Sequence, residues 1–210
     1  MSDLIDSAAG EHGNDSRIYG VAVAEVLSNW DNLGLGRVQL RLPWMPDFQP
    51  WARVSVLSAG AERGTYFIPQ VGEEVLVAFN QGDVREPYVI GSLWNSQDKP
   101  PANDAQSKRI IRTPAGHELE FDDTFQSIVI TDVSGHKITL DPDGIALEAG
   151  LSKLKLGKDG TVTLEGTTIS IKAKATAELK GASVEVSADT SATLKGGGLC
   201  TVQGGLVKIN

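Results

Sequence analysis

From Ile169 the apolar and small side chains fall at every second position: Ile169, Ile171, Ala173, Ala175, Ala177 and Leu179. After Gly181 the parity shifts, and the series continues as Val184, Val186, Ala188, Thr190, Ala192 and Leu194. A period of two belongs to strands, whose successive side chains point to opposite faces, so each run predicts a β-strand with one dry and one wet face. The runs are introduced by near-identical phrases, LEGTTI at 164–169, LKGASV at 179–184 and LKGGGL at 194–199. Gly166, Gly181 and Gly196 take the third place in each phrase. There the chain is expected to turn in a space that a β-carbon would crowd, and to reset its register. The turns DVSG (132–135), DPDG (141–144) and GKDG (157–160) separate shorter alternating strands upstream.

Such a ribbon has an apolar face with nothing in the sequence to cover it, because no window carries a helical period. Self-association is therefore expected, with the small side chains Ala173, Ala175, Ala177, Ala188 and Ala192 lining a narrow axis where identical chains meet. The alternation alone allows either two or three chains.

The first part of the chain alternates in shorter runs: RIYGVAVAEV (17–26), GRVQLRLP (36–43), WARVSVLS (51–58), EEVLVAFN (73–80) and YVIGSLW (88–94). Short strands separated by turns such as NQGD (80–83) predict a small closed barrel, in which closure removes exposed strand edges. An OB-like barrel is the simplest such fold.

Composition separates the two parts. All four tryptophans and eight of the nine prolines lie before residue 115, and the stretch NSQDKPPANDAQSK (95–108) reads as a linker. The formal net charge is −8, and no basic cluster extends beyond Lys108, Arg109 and Arg112, which speaks against binding nucleic acid through its phosphates. The opening MSDLIDSAAGEHGNDS has no apolar run of signal-peptide length, so the protein is expected to assemble in the cytoplasm. A lone Cys200 excludes an internal disulfide and is expected to be buried and inert.

Catalytic readings find little support. His12, His117 and His136 lie in separate contexts without metal-ligand spacing, and no cofactor is implied. Glu118, Glu120 and Asp122 share one face of a strand, as paired carboxylates for glycoside hydrolysis would, but a solvated acidic strand face accounts for them. KGGGL (195–199) lacks the Lys-Ser/Thr and helix of a phosphate loop.

In order along the chain, GRVQLRLPW (36–44), PWARV (50–54), PQVGEEVLVAF (69–79) and GDVREPYVIGSLWN (82–95) resemble the OB domain shared by the spike proteins of contractile tails. That family includes phage baseplate assembly protein V, the T-even tail-spike protein and the VgrG proteins of type VI secretion. TPAGHELEFDDT (113–124) resembles the family's entry into its β-helix. The resemblance implies an all-β protein: an OB-fold barrel followed by a C-terminal triple-stranded β-helix, a β-prism needle, formed by a homotrimer. The corresponding boundaries are an N-terminal arm over 1–16, the OB domain over 17–95, a linker over 96–112 and the trimeric spike over 113–210. The trimer core would comprise Ile169, Ile171, Ala173, Ala175, Ala177, Leu179, Val184, Val186, Ala188, Ala192 and Leu194.

The resemblance also implies a function without catalysis. The spike sits on a tube-end hub in a virion baseplate or a cytoplasmically assembled contractile particle, and pierces the target-cell envelope when the sheath contracts. Trp44, Phe48 and Trp51 are the expected hub contacts. Residues 96–112 leave no room for the lysozyme domain that some relatives insert, and the His-x-His iron apex of certain phage spikes is missing, since no His follows His136. Hub and tip are then expected from other proteins, with Gly204, Gly205, Leu206, Val207 and Ile209 docking a conical PAAR-type tip. A rival reading makes the barrel a module for oligosaccharide or single-stranded nucleic acid, with Trp44, Phe48 and Trp51 as stacking platforms.

Overall fold

A computed structural model describes residues 17–104 and 106–209 of the chain. The arm expected over residues 1–16, with His12, lies outside the described residues. All fourteen regular elements among the described residues are strands. The first are β1 (Val21–Ser28), β2 (Arg37–Arg41) and β3 (Trp51–Val54), followed by a two-strand hairpin, β4 (Ala59–Gly60) and β5 (Arg63–Gly64). Then come β6 (Glu74–Asn80) and β7 (Asp83–Ser92).

Five of these close on themselves in the order β1-β2-β3-β7-β6. Every pairing is antiparallel except β3 with β7, the parallel seam that closes the barrel. Alternation builds the interior directly: Ala24 and Val26, Val38 and Leu40, Ala52, Val75 and Val77, and Val89 are the inward positions of their strands, and all are at most 1% exposed. Gln81 and Gly82 both take positive φ, 48° and 81°, between the paired residues Asn80 and Asp83. This is the backbone that a two-residue turn needs to follow the right-handed twist of β6 and β7.

The loop between β1 and β2 is organised by one carboxylate. Asp31 accepts from the backbone N–H groups of Leu33, Leu35 and Arg37 and from Nε and Nη2 of Arg37, at 2.9–3.3 Å. Its side chain is 4% exposed. The Arg37 guanidinium, with help from the backbone donors, holds the Asp31 carboxyl well below the usual carboxylate range despite desolvation. On the β6–β7 hairpin, Arg85 holds Asp83 down to about 2 in the same way.

Both folded values are depressed, so these carboxylates stabilise the barrel fully above the ordinary value of 3.8, and their contribution fades as pH falls toward and below 2. Acid titration of the Asp31→Asn variant, followed by circular dichroism, should show lower stability at pH 7 and a shallower loss between pH 4 and 2. An unchanged acid limb would contradict the role of Asp31.

After β7 the chain forms β8 (Lys108–Arg112), β9 (Glu118–Asp122), β10 (Ser127–Thr131), β11 (Lys137–Asp141), β12 (Gly144–Ala149), β13 (Ser152–Gly157) and β14 (Val162–Glu165). They make one seven-stranded antiparallel meander in chain order. Residues 108–112, read from sequence as the end of a linker, are thus its first strand, with Arg109 and Arg112 opposite Phe121 and Glu118. Beyond β14 no strand is assigned among the described residues, and 166–209 are exposed in the single chain. Among the described residues there is no helix long and apolar enough to cross a membrane.

Candidate self-assembly surface

The register of the meander sorts its side chains into rows. Leu119 faces Ile111 and Ile130, Ile130 faces Ile138, Ile138 faces Leu147, Leu147 faces Leu154, and Leu154 faces Leu164. This row crosses all seven strands without a polar interruption. Two residues along each strand, hence on the same face, lies a second row: Phe121, Ile128, Leu140, Ile145, Leu156 and Val162, headed by Arg109.

Among the described residues, nothing covers this face. Ile138 and Leu147, in the middle of the sheet, are 37% and 39% exposed, whereas inward barrel residues are near zero. In β12 the apolar Ile145 and Leu147 are the exposed positions, and Ala146 and Glu148 the half-buried ones. That ordering is the reverse of what a sheet with its own hydrophobic core shows, and a contiguous apolar face of this extent marks a contact with another surface.

The opposite face carries the charged side chains, with Ile110, Val129 and Ala146 among them. One row reads Arg112, Glu118, Thr131, Lys137, Glu148, Lys153, Glu165, so opposite charges face each other across most of the strand pairs. Arg112 is paired with Glu118, and Lys153 with Glu148. The Lys153 ammonium draws the Glu148 carboxyl below its ordinary value, and Glu148 in turn raises Lys153. A one-residue slip would bring the apolar rows to this side and break every pair, so the ladder fixes which face is dry.

Reversing one charge should test that role. Glu148→Lys places its ammonium between Lys137 and Lys153 and should lower the melting temperature, and the double variant Glu148→Lys with Lys153→Glu should recover part of the loss. No recovery in the double variant would remove the ladder as a register device.

The carboxylates weighed as a catalytic pair are committed elsewhere. Glu118 is held by Arg112, and Glu120 by Lys108 at 2.9 Å. Asp122 is 4% exposed, accepts from the N–H groups of Thr124 and Phe125, and lies 3.6 Å from Lys108 Nζ. This corrects the expectation of a solvated acidic strand face: the side chains are partly buried because β8 lies alongside and supplies their cations. His136 Nδ1 lies 2.8 Å from Asp132 Oδ2 in an exposed turn, and His117 is exposed in another. Among the described residues no group of three or more His, Cys, Asp or Glu side chains is placed to hold a metal.

Sequence reading placed self-association farther along, and there no strand pairing is assigned in the single chain. Ile169, Ile171, Leu179, Val184, Val186 and Leu194 are all exposed, as are Ala173, Ala175, Ala177, Ala188 and Ala192. Leu206, Val207 and Ile209 are exposed too, together with Gly204 and Gly205. Cys200, expected to be buried, is exposed in the single chain, where the segment that carries it is assigned no strand.

The three phrase glycines differ from one another. None has a positive φ. A Cβ on Gly196 would sit 2.3 Å from the Leu199 carbonyl oxygen, one on Gly181 would sit 3.0 Å from that of Ser183, and one on Gly166 would meet nothing closer than 3.5 Å. Crowding therefore requires glycine at 196, bears on 181 and leaves 166 open.

The barrel aromatics are used in three ways. Trp44 is 44% exposed on the β2–β3 loop, Phe48 packs against the barrel core, and Trp51 lies beneath the Arg37 guanidinium at 5.4 Å. The apolar rows of β8–β14 were not among the residues singled out from sequence. The turn signals were visible, but row membership depends on pairing register across six turns.

A closed barrel followed by a sheet with an uncovered apolar face defines the class: a barrel protein that offers a surface for assembly. Residues 22–94 match the injector OB domain of type VI secretion systems and phage baseplates, and residues 108–177 match the phage baseplate V C-terminal trimerisation domain. With both matches in chain order over more than half its length, the chain belongs to the phage-baseplate V family of injector spikes.

Its relatives include the type VI secretion system spike protein VgrG2a of Pseudomonas aeruginosa, 32% identical over 115 residues, which is 48% of this chain and 14% of that protein. The spike protein VgrG3 of Vibrio cholerae is 32% identical over 101 residues, 42% of this chain and 10% of that protein. The actin cross-linking toxin VgrG1 of the same species is also 32% identical over 101 residues, 42% of this chain and 9% of that protein. The chain thus spans only a small part of the length of these curated relatives.

Proposed function

We propose that the chain is the central spike of a contractile injection machine, a phage tail or a related injection or secretion system. Three copies join through the apolar rows of β8–β14. Residues 166–209 then wind together as a three-chain β-helix, with Ile169, Ile171, Leu179, Val184, Val186 and Leu194 turned to the axis. The needle is driven through the target envelope on sheath contraction, and the barrels sit on a tube-end hub, with Trp44 the most available of the three aromatic contacts. The observation that carries this reading is the uncovered apolar face of β8–β14, which falls within the stretch matching a trimerisation domain.

A prism of hydrogen-bonded strands resists axial compression, and that mechanical role needs no catalytic group. An OB module for sugars or single-stranded nucleic acid is less well supported, since the relatives are spikes and Trp51 and Phe48 are already engaged within the barrel. Light scattering should give about three times the 22.3 kDa chain mass, and a stable monomer would sink the proposal. The exposed Leu206, Val207 and Ile209, with Gly204 and Gly205, would form the seat of a separate conical tip of PAAR type. Deleting 203–210 should keep the trimer and abolish co-purification with the tip, and retention of the tip would refute that seat.

A further inference from the structure

Away from the apolar rows of the stalk, the barrel carries a groove of about 590 Å³ along the β3–β7 seam, lined by Arg37, Arg53, Arg85, Trp51, Tyr88 and Glu86 among others. Two of the arginines are neutralised in place, Arg37 by Asp31 at 2.9 Å and Arg85 by Asp83 at 2.6 Å. Arg53 is not. It is exposed, it stands opposite Arg37 in the β2–β3 register, and among the described residues its guanidinium meets the Tyr88 ring, at 5.7 Å, but no carboxylate. Like charges set opposite each other on a strand pair repel, so an added carboxylate at Arg53 would be stabilising. Glu86 does not supply it, and accepts from Asn80 Nδ2 instead.

We infer that this groove is the seat of residues 1–16 of the same chain, whose carboxylates neutralise Arg53 and whose apolar side chains cover Leu35 and the Trp51 ring. Three observations select this occupant. The segment holds Asp3, Asp6, Glu11 and Asp15 and no Lys or Arg, so it carries half of the formal net charge of −8. Its stretch Asp3-Leu4-Ile5-Asp6 sets two apolar side chains between two acids, and the groove offers both chemistries, with Leu35 68% exposed beside the guanidinium groups. The segment also joins the barrel at the right place. The Ile18 N–H donates to the Gly82 carbonyl at 2.9 Å, in the turn that leads three residues later to Arg85. Sixteen residues reach at most roughly 55 Å, whereas Arg85 to Tyr88 covers only about 10 Å of strand. The inference concerns a single barrel and stands apart from the trimeric reading.

Carbodiimide cross-linking of the full chain tests this. Arg53→Lys keeps the charge and supplies an amine that the reagent can join to a carboxylate, and trypsin releases residues 1–17 as one peptide because no Lys or Arg precedes Arg17. At low salt, mass spectrometry should find that peptide joined to the segment around position 53 at least about tenfold more often than to position 41 in Arg41→Lys, an exposed β2 site outside the groove lining. Salt at about 1 M, where the screening length falls to about 3 Å, should erase the difference. The linked product should keep the 22.3 kDa chain mass on a denaturing gel. Equal yields in the two variants, or a link from position 53 to Glu86 alone, would overturn residues 1–16 as the occupant. A product of twice the chain mass would give the groove to a second copy and overturn the placement within one chain.

Discussion

Leu147→Asp should convert the protein from three times its 22.3 kDa chain mass to a monomer in light scattering. Leu147 lies in the middle of the uninterrupted apolar row, between Ile138 and Leu154, and is 39% exposed in the single chain. The isolated sheet therefore tolerates a carboxylate at this position, because water still reaches it. If three chains join through these rows, as proposed, the same position would be closed off by the apolar rows of two other chains, and three carboxylates would enter a largely apolar space. Burying an unpaired ionised group costs several kcal/mol, and three of the same sign near one axis repel each other as well. Lys155→Asp is the matched control: it places the same group on the same strand pair but on the opposite, polar face, and should leave the trimer intact. If both variants stay trimeric, the apolar rows are not the joint.

That the uncovered apolar face was found by register rather than by sequence follows from what each signal encodes. Alternation identified the five barrel strands because one turn of the chain separates buried from exposed: Val38 and Leu40, or Val75 and Val77, are read directly as inward. It also predicted strands over the run from Ile169 to Leu194, where no strand is assigned in the single chain. The meander strands are only four to six residues long, and each has just two or three apolar positions. Taken singly they look like surface hairpins. Their rows exist only once Ile130 is known to face Ile138 and Ile138 to face Leu147. β8 was missed for a related reason: KRIIR looks like the basic end of a linker until Arg112 and Lys108 are seen to meet Glu118, Glu120 and Asp122 across the strand pair. The short β4–β5 hairpin pairs only Ala59 with Gly64 and Gly60 with Arg63, too few residues to leave an alternating trace.

The turns of the meander are not equally replaceable, and the difference gives the second large effect. Gly144 opens β12 with φ at 144°, opposite Gly157, and a Cβ there would lie 2.0 Å from the Leu156 carbonyl oxygen. That oxygen belongs to the backbone of the neighbouring strand, so no rotamer change relieves the contact; the β12–β13 pair itself must open. Gly160, in the next hairpin, also has positive φ, 85°, but a Cβ would meet nothing within 4 Å. Gly160→Ala should therefore incur only the backbone strain of an unfavourable φ, about 1 kcal/mol per chain. Gly144→Ala should add displacement of a strand and cost about 3 kcal/mol or more per chain. Its effect multiplies in the assembly, because Ile145 and Leu147 follow directly and would be carried out of their rows in each of three copies. Thermal unfolding should show Gly144→Ala melting well below Gly160→Ala, with weakened trimer formation at the same protein concentration. Equal melting temperatures would mean that the β12–β13 pair does not set the geometry of the joint.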